Sequence, residues 1–355
     1  MSQMTSAVAA IERPTVEVKS LENISCESWN DYVGQHPEGT FFHLAEWREV
    51  LHRAFGHSSY YLYAVEGSAV RGVLPLAHVK SLFFGNALIS TPCCVYGGAL
   101  SDSPEIGVLL EDSAAQLAEK LGVDYLELRN RSRQREGWPT KDLYVTFRKS
   151  ILPTVEENMK AIPRKQRAMV RKGVEAGLSS TVDDNCDRFF RIYSESVRNL
   201  GTPVFPLQYF RLLKEVFGER CEVLTVSRGG EPVSSVMSFY FRDEVLPYYG
   251  GGLSVAREVK GFDFLYWELM RRACERGLRT FDYGRSKLDT GSFSFKKNWG
   301  FEPKPMPYQY HLVRIGKVPD VNPLNPKYRL FIDLWKHLPL PVANFFGPML
   351  ARGLG

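Results

Sequence analysis

Gly277-Leu-Arg-Thr-Phe-Asp282 follows an amphipathic stretch in the second half of the chain, and Gly122-Val-Asp-Tyr-Leu-Glu127 does the same in the first. In both, a glycine suited to stopping a helix precedes a strand-like run that ends in an acid at the same offset. Upstream of Gly277, Phe262, Leu265, Tyr266, Leu269 and Ala273 recur at i, i+3, i+4, i+7 and i+11, which predicts one apolar helix face. Ala114, Leu117, Ala118 and Leu121 do so before Gly122. Each helix is preceded by Tyr-Gly-Gly, at Tyr96-Gly97-Gly98 and Tyr249-Gly250-Gly251. Before that stands a hairpin pattern. Tyr60 to Val65 turns at Glu66-Gly67-Ser68 and returns as Val70 to Val79; Glu222 to Ser227 turns at Arg228-Gly229-Gly230 and returns as Val233 to Phe241. The same order occurring twice predicts duplication of one α/β unit.

At 355 residues, 44% hydrophobic and 24% charged, the chain is long and apolar enough for two domains with separate cores, which excludes disorder as a whole. The formal charge of +5 matters only where it clusters. The six cysteines (Cys26, Cys93, Cys94, Cys186, Cys221 and Cys274) have no C-x-x-C spacing and read as reduced, mostly buried thiols. The histidines have no metal-ligand spacing and read as surface or capping residues. No metal is expected.

The first residues lack the basic and apolar regions of a secretory signal, so the chain is expected in the cytoplasm. Residues 1–15 read as a flexible tail. Thr154-x-x-Glu157 is a capping-box pattern with Pro163 at a first helical position, which places a boundary near 149. The expected units are therefore 16–148, 149–315 with the main site, and a helical extension at 316–355. In that extension Tyr328, Phe331, Ile332, Trp335 and Leu338 lie at helical spacing before Pro339 and Pro341. The stripe is expected to pack on the first domain, with peripheral contact to the inner membrane surface as the other use.

Chemistry concentrates in Phe281-Asp282-Tyr283-Gly284-Arg285-Ser286, followed by Gly291-Ser-Phe-Ser-Phe295-Lys296-Lys297-Asn-Trp299-Gly300. Here the chain resembles the FemAB-like family of the acetyltransferase superfamily, whose second domain carries a D-[FY]-G-R-S … F-K-x-x-W-G signature. The resemblance covers roughly residues 16 to 315. It implies two tandem GNAT-like units with mixed central sheets. It also implies transfer of an amino acid from aminoacyl-tRNA, or of an acyl group, onto a cell-wall or surface-polymer precursor. The stretch Leu338-Pro-Leu-Pro-Val-Ala-Asn344 is closest to the branch associated with exosortase and exopolysaccharide gene clusters.

Carried over residue by residue, Lys296 matches the family lysine beside the acyl donor and Phe295 its aromatic neighbour. A fixed cation there would stabilise the charge that builds when an ester carbonyl is attacked. Tyr209 and Tyr249 fall on tyrosines of the acceptor cleft, or equally on core positions. Asp282 is the acidic candidate, with Arg285 its alternative structural partner, and Arg285 and Ser286 are expected at the substrate. The family's nucleotide-clamping cations fall at Glu49 and Phe205, neither of which can hold a pyrophosphate. The acid at the end of the first-domain strand falls at Asn130, which cannot act as a base.

Lys160, Arg164, Arg167 and Arg171, at i, i+4, i+7 and i+11, would form one cationic stripe if Pro163 only kinks the path. Such a stripe suits phosphates of a tRNA or an acidic lipid-linked glycan, or is simply solvated; no DNA partner is expected. Arg257-Glu-Val-Lys260-Gly261-Phe262 departs from the R-x-x-G-x-G/A turn that cradles a pyrophosphate. No tightly bound cofactor is expected, and the donor is read as aminoacyl-tRNA, with acyl-CoA as the alternative. A third reading is a scaffold that has lost its chemistry.

Overall fold

The computed structural model describes residues 15–81, 85–319 and 326–353, apart from the side chains of 326–329. The expected tail lies outside these residues except for Thr15, as does the Tyr328 side chain.

Both repeats form mixed α/β units. In the second half, Cys221–Arg228 and Glu231–Phe241 make the expected hairpin. Glu244–Gly252 then runs parallel to Thr280–Lys287, with the helix Gly261–Glu275 in the crossover, as a parallel pair requires. In the first half, Gly85–Ser90 runs parallel to Tyr125–Leu128 across the helix Pro104–Leu121. Gly122 and Gly277 both take left-handed backbone, φ +60° and +74°, at the helix ends.

Two details differ from the expected repeat. The return of the first hairpin is two strands, Ala69–Leu74 and Leu76–Ser81, because Pro75 has no N–H to continue the ladder. The first joins a small sheet with Val16–Ser20, Leu62–Glu66 and Leu100–Ser101, and the second joins the large sheet. Tyr249-Gly250-Gly251 lies on a strand, whereas Tyr96-Gly97-Gly98 lies in the connection between Gly85–Ser90 and Leu100–Ser101.

Among the described residues the large sheet has eleven strands, and it runs through both halves. At its middle, Thr280–Lys287 pairs with Thr140–Ser150, which pairs with Pro303–Leu312, which pairs with Tyr125–Leu128. The expected boundary at 148/149 therefore falls inside Thr140–Ser150, and the last strand of the chain's second half completes the first half's sheet. The cores interlock too. Phe41, from the first half, stacks at 4.5 Å from both Phe217 and Phe239 of the second, and all three are buried. The capping box at Thr154 and Glu157 forms as expected. Pro163 does more than kink its helix: Val155–Ala161 ends before it and Arg164–Glu175 starts after it.

The extension forms two helices, Pro326–Lys336 and Leu340–Ala351. Both pack mainly on the helix Asp187–Asn199 of the second half, and not on the first half as expected. Arg198 donates to the carbonyls of Lys336 and Leu338, both at 3.2 Å. Contact with the first half comes through Arg352, whose Nε donates to Phe55 O at 2.8 Å.

Because the halves share one sheet and one aromatic core, unfolding is expected to be a single transition. Phe41→Ala should lower stability by about 3–5 kcal/mol in urea melts, with near-UV and far-UV signals moving together. Two separate transitions would show that the halves fold independently.

Candidate active site

The strand Thr280–Lys287 changes register against Thr140–Ser150, with Asp282 opposite Arg148 but Arg285 opposite Thr146. The one extra residue makes a bulge, and Gly284 supplies its left-handed turn at φ +63°. Two charged side chains hold it. Asp282, 1% exposed, accepts the Gly284 N–H at 2.7 Å, Arg148 Nη1 at 2.8 Å and the Tyr96 hydroxyl at 3.1 Å. Lys296 Nζ donates to the carbonyls of Arg285 at 2.9 Å and Gly284 at 3.2 Å. Its ammonium lies over Phe147 and Tyr283, 5.5 and 5.8 Å from the ring centres. Burial pushes the Lys296 pKa down to about 7 against the pull of Asp282. Phe295, on the same short helix Gly291–Asn298, packs its ring against Tyr266.

Past the bulge, Arg285, Ser286 and Lys287 line a cleft of about 540 Å³ on one face of the large sheet. Alternate residues of neighbouring strands face it: Ala87 and Ile89, Tyr125 and Glu127, Tyr308 and Tyr310. Arg285 Nη1 donates to Tyr308 Oη at 3.0 Å, and its guanidinium stacks 4.7 Å from the Tyr144 ring centre. Arg129, in the same cleft, is neutralised by Glu127 at 2.8 Å and donates to Cys94 O at 2.6 Å. Arg285 has no carboxylate within ion-pair distance among the described residues. Ser286 Oγ is buried without a hydrogen-bond partner among the described residues. A desolvated cation beside an unsatisfied hydroxyl suits an anionic or strongly polar ligand group. Pro319, Thr202 and Gly353 also line the cleft.

The structure thus brings Asp282, Arg285, Ser286, Phe295 and Lys296 together around one bulge. Lys296 and Asp282 hold the backbone, while Arg285 and Ser286 face the cleft. Tyr209 and Tyr249 are elsewhere: both are buried, their hydroxyls share a 2.9 Å hydrogen bond, and they pack with Phe205 and Phe210. Glu49 is exposed on an open concavity and pairs with Arg53. Asn130 is buried against Glu111 and Gln309, beside a water-sized void. Burial raises the Glu111 pKa to about 7, so a carboxyl does stand next to position 130. Among the basic residues, Lys160, Arg167 and Arg171 converge on a shallow hollow floored by Trp267, although they come from two helices; Arg164 is exposed outside its lining.

Sequence reasoning missed Arg129, Glu127, Tyr144, Tyr308 and Tyr310. The signal was period-two alternation in Tyr125-x-Glu127-x-Arg129 and Tyr308-x-Tyr310.

Residues 158–297 match the family model of the acetyltransferase (GNAT) domain. No curated protein matches the sequence. Among solved structures, FemX superposes with a TM-score of 0.66 at 14% identity, covering 89% of this chain and all of that one. The C-terminal domain (DUF2156) of a putative lysylphosphatidylglycerol synthetase from Agrobacterium fabrum gives 0.56 at 13%, covering 82% and 92%. A tandem GNAT protein from the clavulanic acid biosynthesis pathway gives 0.54 at 14%, covering 85% and 100%. The chain therefore has the tandem GNAT fold.

The depressed Lys296 pKa has a definite sign. Between about 7 and the ordinary 10.5 the unfolded chain holds a proton that the folded chain does not, so this residue makes stability rise with pH across that window. Urea midpoints of the wild type relative to Lys296→Met should increase from pH 7 to pH 10. Parallel profiles would show that Lys296 titrates as it does in water.

Proposed function

We propose that this protein is an acyl- or aminoacyl-transferase in which an acceptor bound in the central cleft attacks an activated acyl ester directly. The unpaired Arg285 guanidinium at the cleft, beside the free Ser286 hydroxyl, carries this reading. In the reaction, an acceptor amine or hydroxyl adds to the ester carbonyl. The resulting oxyanion then expels the donor's alkoxide, which takes up the proton lost by the nucleophile. Arg285 is the cation suited to the developing charge. Lys296 and Asp282 act as positioning residues, fixing the backbone that carries it. An amine arriving neutral needs no strong base, so Asn130 is no obstacle.

The acceptor is a cell-wall or surface-polysaccharide precursor in this reading. Support comes from the FemAB-like signature and from a cleft that Tyr125, Tyr144, Tyr308 and Tyr310 line next to an anion-binding group. The Leu338–Asn344 stretch favours the exopolysaccharide-associated branch. For the donor, aminoacyl-tRNA is preferred. The N-terminus of the helix Gly261–Glu275 is where a GNAT fold would present backbone N–H groups to a pyrophosphate. Here the Phe262 ring is packed so closely on Gly252 that a Cβ there would lie 2.6 Å from it. The hollow lined by Lys160, Arg167 and Arg171 would meet the tRNA backbone. The neighbour named a putative lysylphosphatidylglycerol synthetase is consistent with an aminoacyl group. The GNAT-domain match over 158–297 supports the second reading, an acyl-CoA donor.

The test is transfer of labelled amino acid from a charged-tRNA pool, or of labelled acetyl from acetyl-CoA, onto an envelope-precursor extract. The tRNA arm is expected to label product. Arg285→Gln should lower kcat/KM about 100-fold, while Arg167→Glu with Arg171→Glu weakens tRNA binding and its salt dependence. Equal rates for wild type and Arg285→Gln would remove the cleft from the mechanism. Labelling by acetyl-CoA alone would identify the other donor, and no transfer from either would leave the scaffold reading.

A further inference from the structure

The two C-terminal helices divide sharply into a packed face and a bare one. Trp335, Ala343, Gly347 and Ala351 are buried against the body of the protein. Leu330, Leu334, Phe345 and Met349 are 71%, 63%, 70% and 68% exposed, with Phe331, Val342 and Phe346 also open to solvent. On the second helix, Val342, Phe345, Phe346 and Met349 fall on one stripe by helical spacing. Leu200, 64% exposed, lies next to this region, because Ile332 packs on the neighbouring Gly201. Bare apolar side chains in such number mark an interaction surface.

Charge identifies the partner. From Pro326 on, the sequence of the helix pair has Lys327, Arg329, Lys336, His337 and Arg352 against a single acidic side chain, Asp333, and the helix Leu340–Ala351 has no charged residue. Arg352 is exposed beyond its bond to Phe55 O, while Lys336 has Asp333 at 3.5 Å. A second copy meeting this face about a two-fold axis would bring together two such basic sets, each offset only by Asp333. An anionic lipid surface complements both the apolar stripe and the cations. Twelve residues make a helix about 18 Å long, against about 30 Å of hydrocarbon, so the helix lies in the interface instead of crossing it. No helix among the described residues is long and apolar enough to span.

We propose that the C-terminal helix pair docks this protein on an anionic bilayer surface, with Val342, Phe345, Phe346 and Met349 in the headgroup–acyl boundary. The proposal gains a geometric sense from Gly353. It stands just past the end of the second helix and lines the central cleft, so docking would bring the cleft near the lipid surface.

Co-sedimentation of the full chain with phosphatidylglycerol/phosphatidylcholine vesicles tests this directly. Binding is expected to exceed that to pure phosphatidylcholine at least tenfold and to weaken between 50 and 500 mM salt. Phe345→Ser with Phe346→Ser and Met349→Ser should lose at least tenfold in vesicle affinity with an unchanged urea midpoint, since these side chains are exposed. Should that variant lose stability, Lys336→Glu with Arg352→Glu provides a second test, in which the preference for phosphatidylglycerol disappears. Absence of pelleting, or equal binding by wild type and the triple-serine variant, overturns the proposal. So does a dimer in sedimentation velocity without lipid that the triple-serine variant abolishes, because the occupant is then a second copy.

Discussion

The carboxylate of Asp282 is where the two halves become one molecule. It belongs to the second half, yet two of its donors, Tyr96 and Arg148, come from the first-half connection and from the strand the two halves share. Its third donor, the Gly284 N–H, creates the bulge. Burying a carboxylate is costly unless every lone pair is used, so the three donors must all be in place before the strand can turn. Lys296 adds a further hold by donating to the carbonyls of Gly284 and Arg285. Arg285 reaches the cleft because this backbone is held.

The cleft has an unequal electrostatic arrangement. Arg129 and Arg285 approach the same Tyr308 ring from 5.7 and 5.9 Å, but Glu127 offsets only the first. Tyr308 itself donates to Val95 O at 2.6 Å, which leaves its oxygen free to accept from Arg285. Two cations so close would repel strongly if neither were compensated. Pairing one and leaving the other places an uncompensated guanidinium over an aromatic floor, in a cleft that Lys141 and Lys287 also line. Such a site discriminates by the sign and shape of its ligand.

How much of this was legible follows from sequence distance. Helix-ending glycines, hairpin turns and the Thr154 capping box are local devices, and the duplicated α/β plan could be read from Gly122 and Gly277 because their neighbours within a few residues determine the geometry. The Asp282–Arg285 segment was recognisable as important, but its bulge was not, since Lys296 is eleven residues from Arg285 and Arg148 is 134 from Asp282. Tyr209 and Tyr249, open in the sequence between cleft and core, take the core position. Their types suit a cleft, but their hydroxyls bond each other and need no ligand. Lys160 and Arg164 looked continuous because spacing was counted through Pro163, whose ring divides the helix. The cleft itself combines residues of six strands, and alternation shows which residues share a face without showing which strands are neighbours.

The late arrival of Pro303–Leu312 bears on biosynthesis. That strand lies between Tyr125–Leu128 and Thr140–Ser150. A ribosome making this protein exposes Tyr125–Leu128 long before it makes the partner, an interval on the order of tens of seconds at usual elongation rates. For that time the nascent chain carries a hydrophobic strand with one unpaired edge, the kind of surface that chaperones cover and that aggregation exploits. A message truncated before the codons for this strand would leave that edge open permanently.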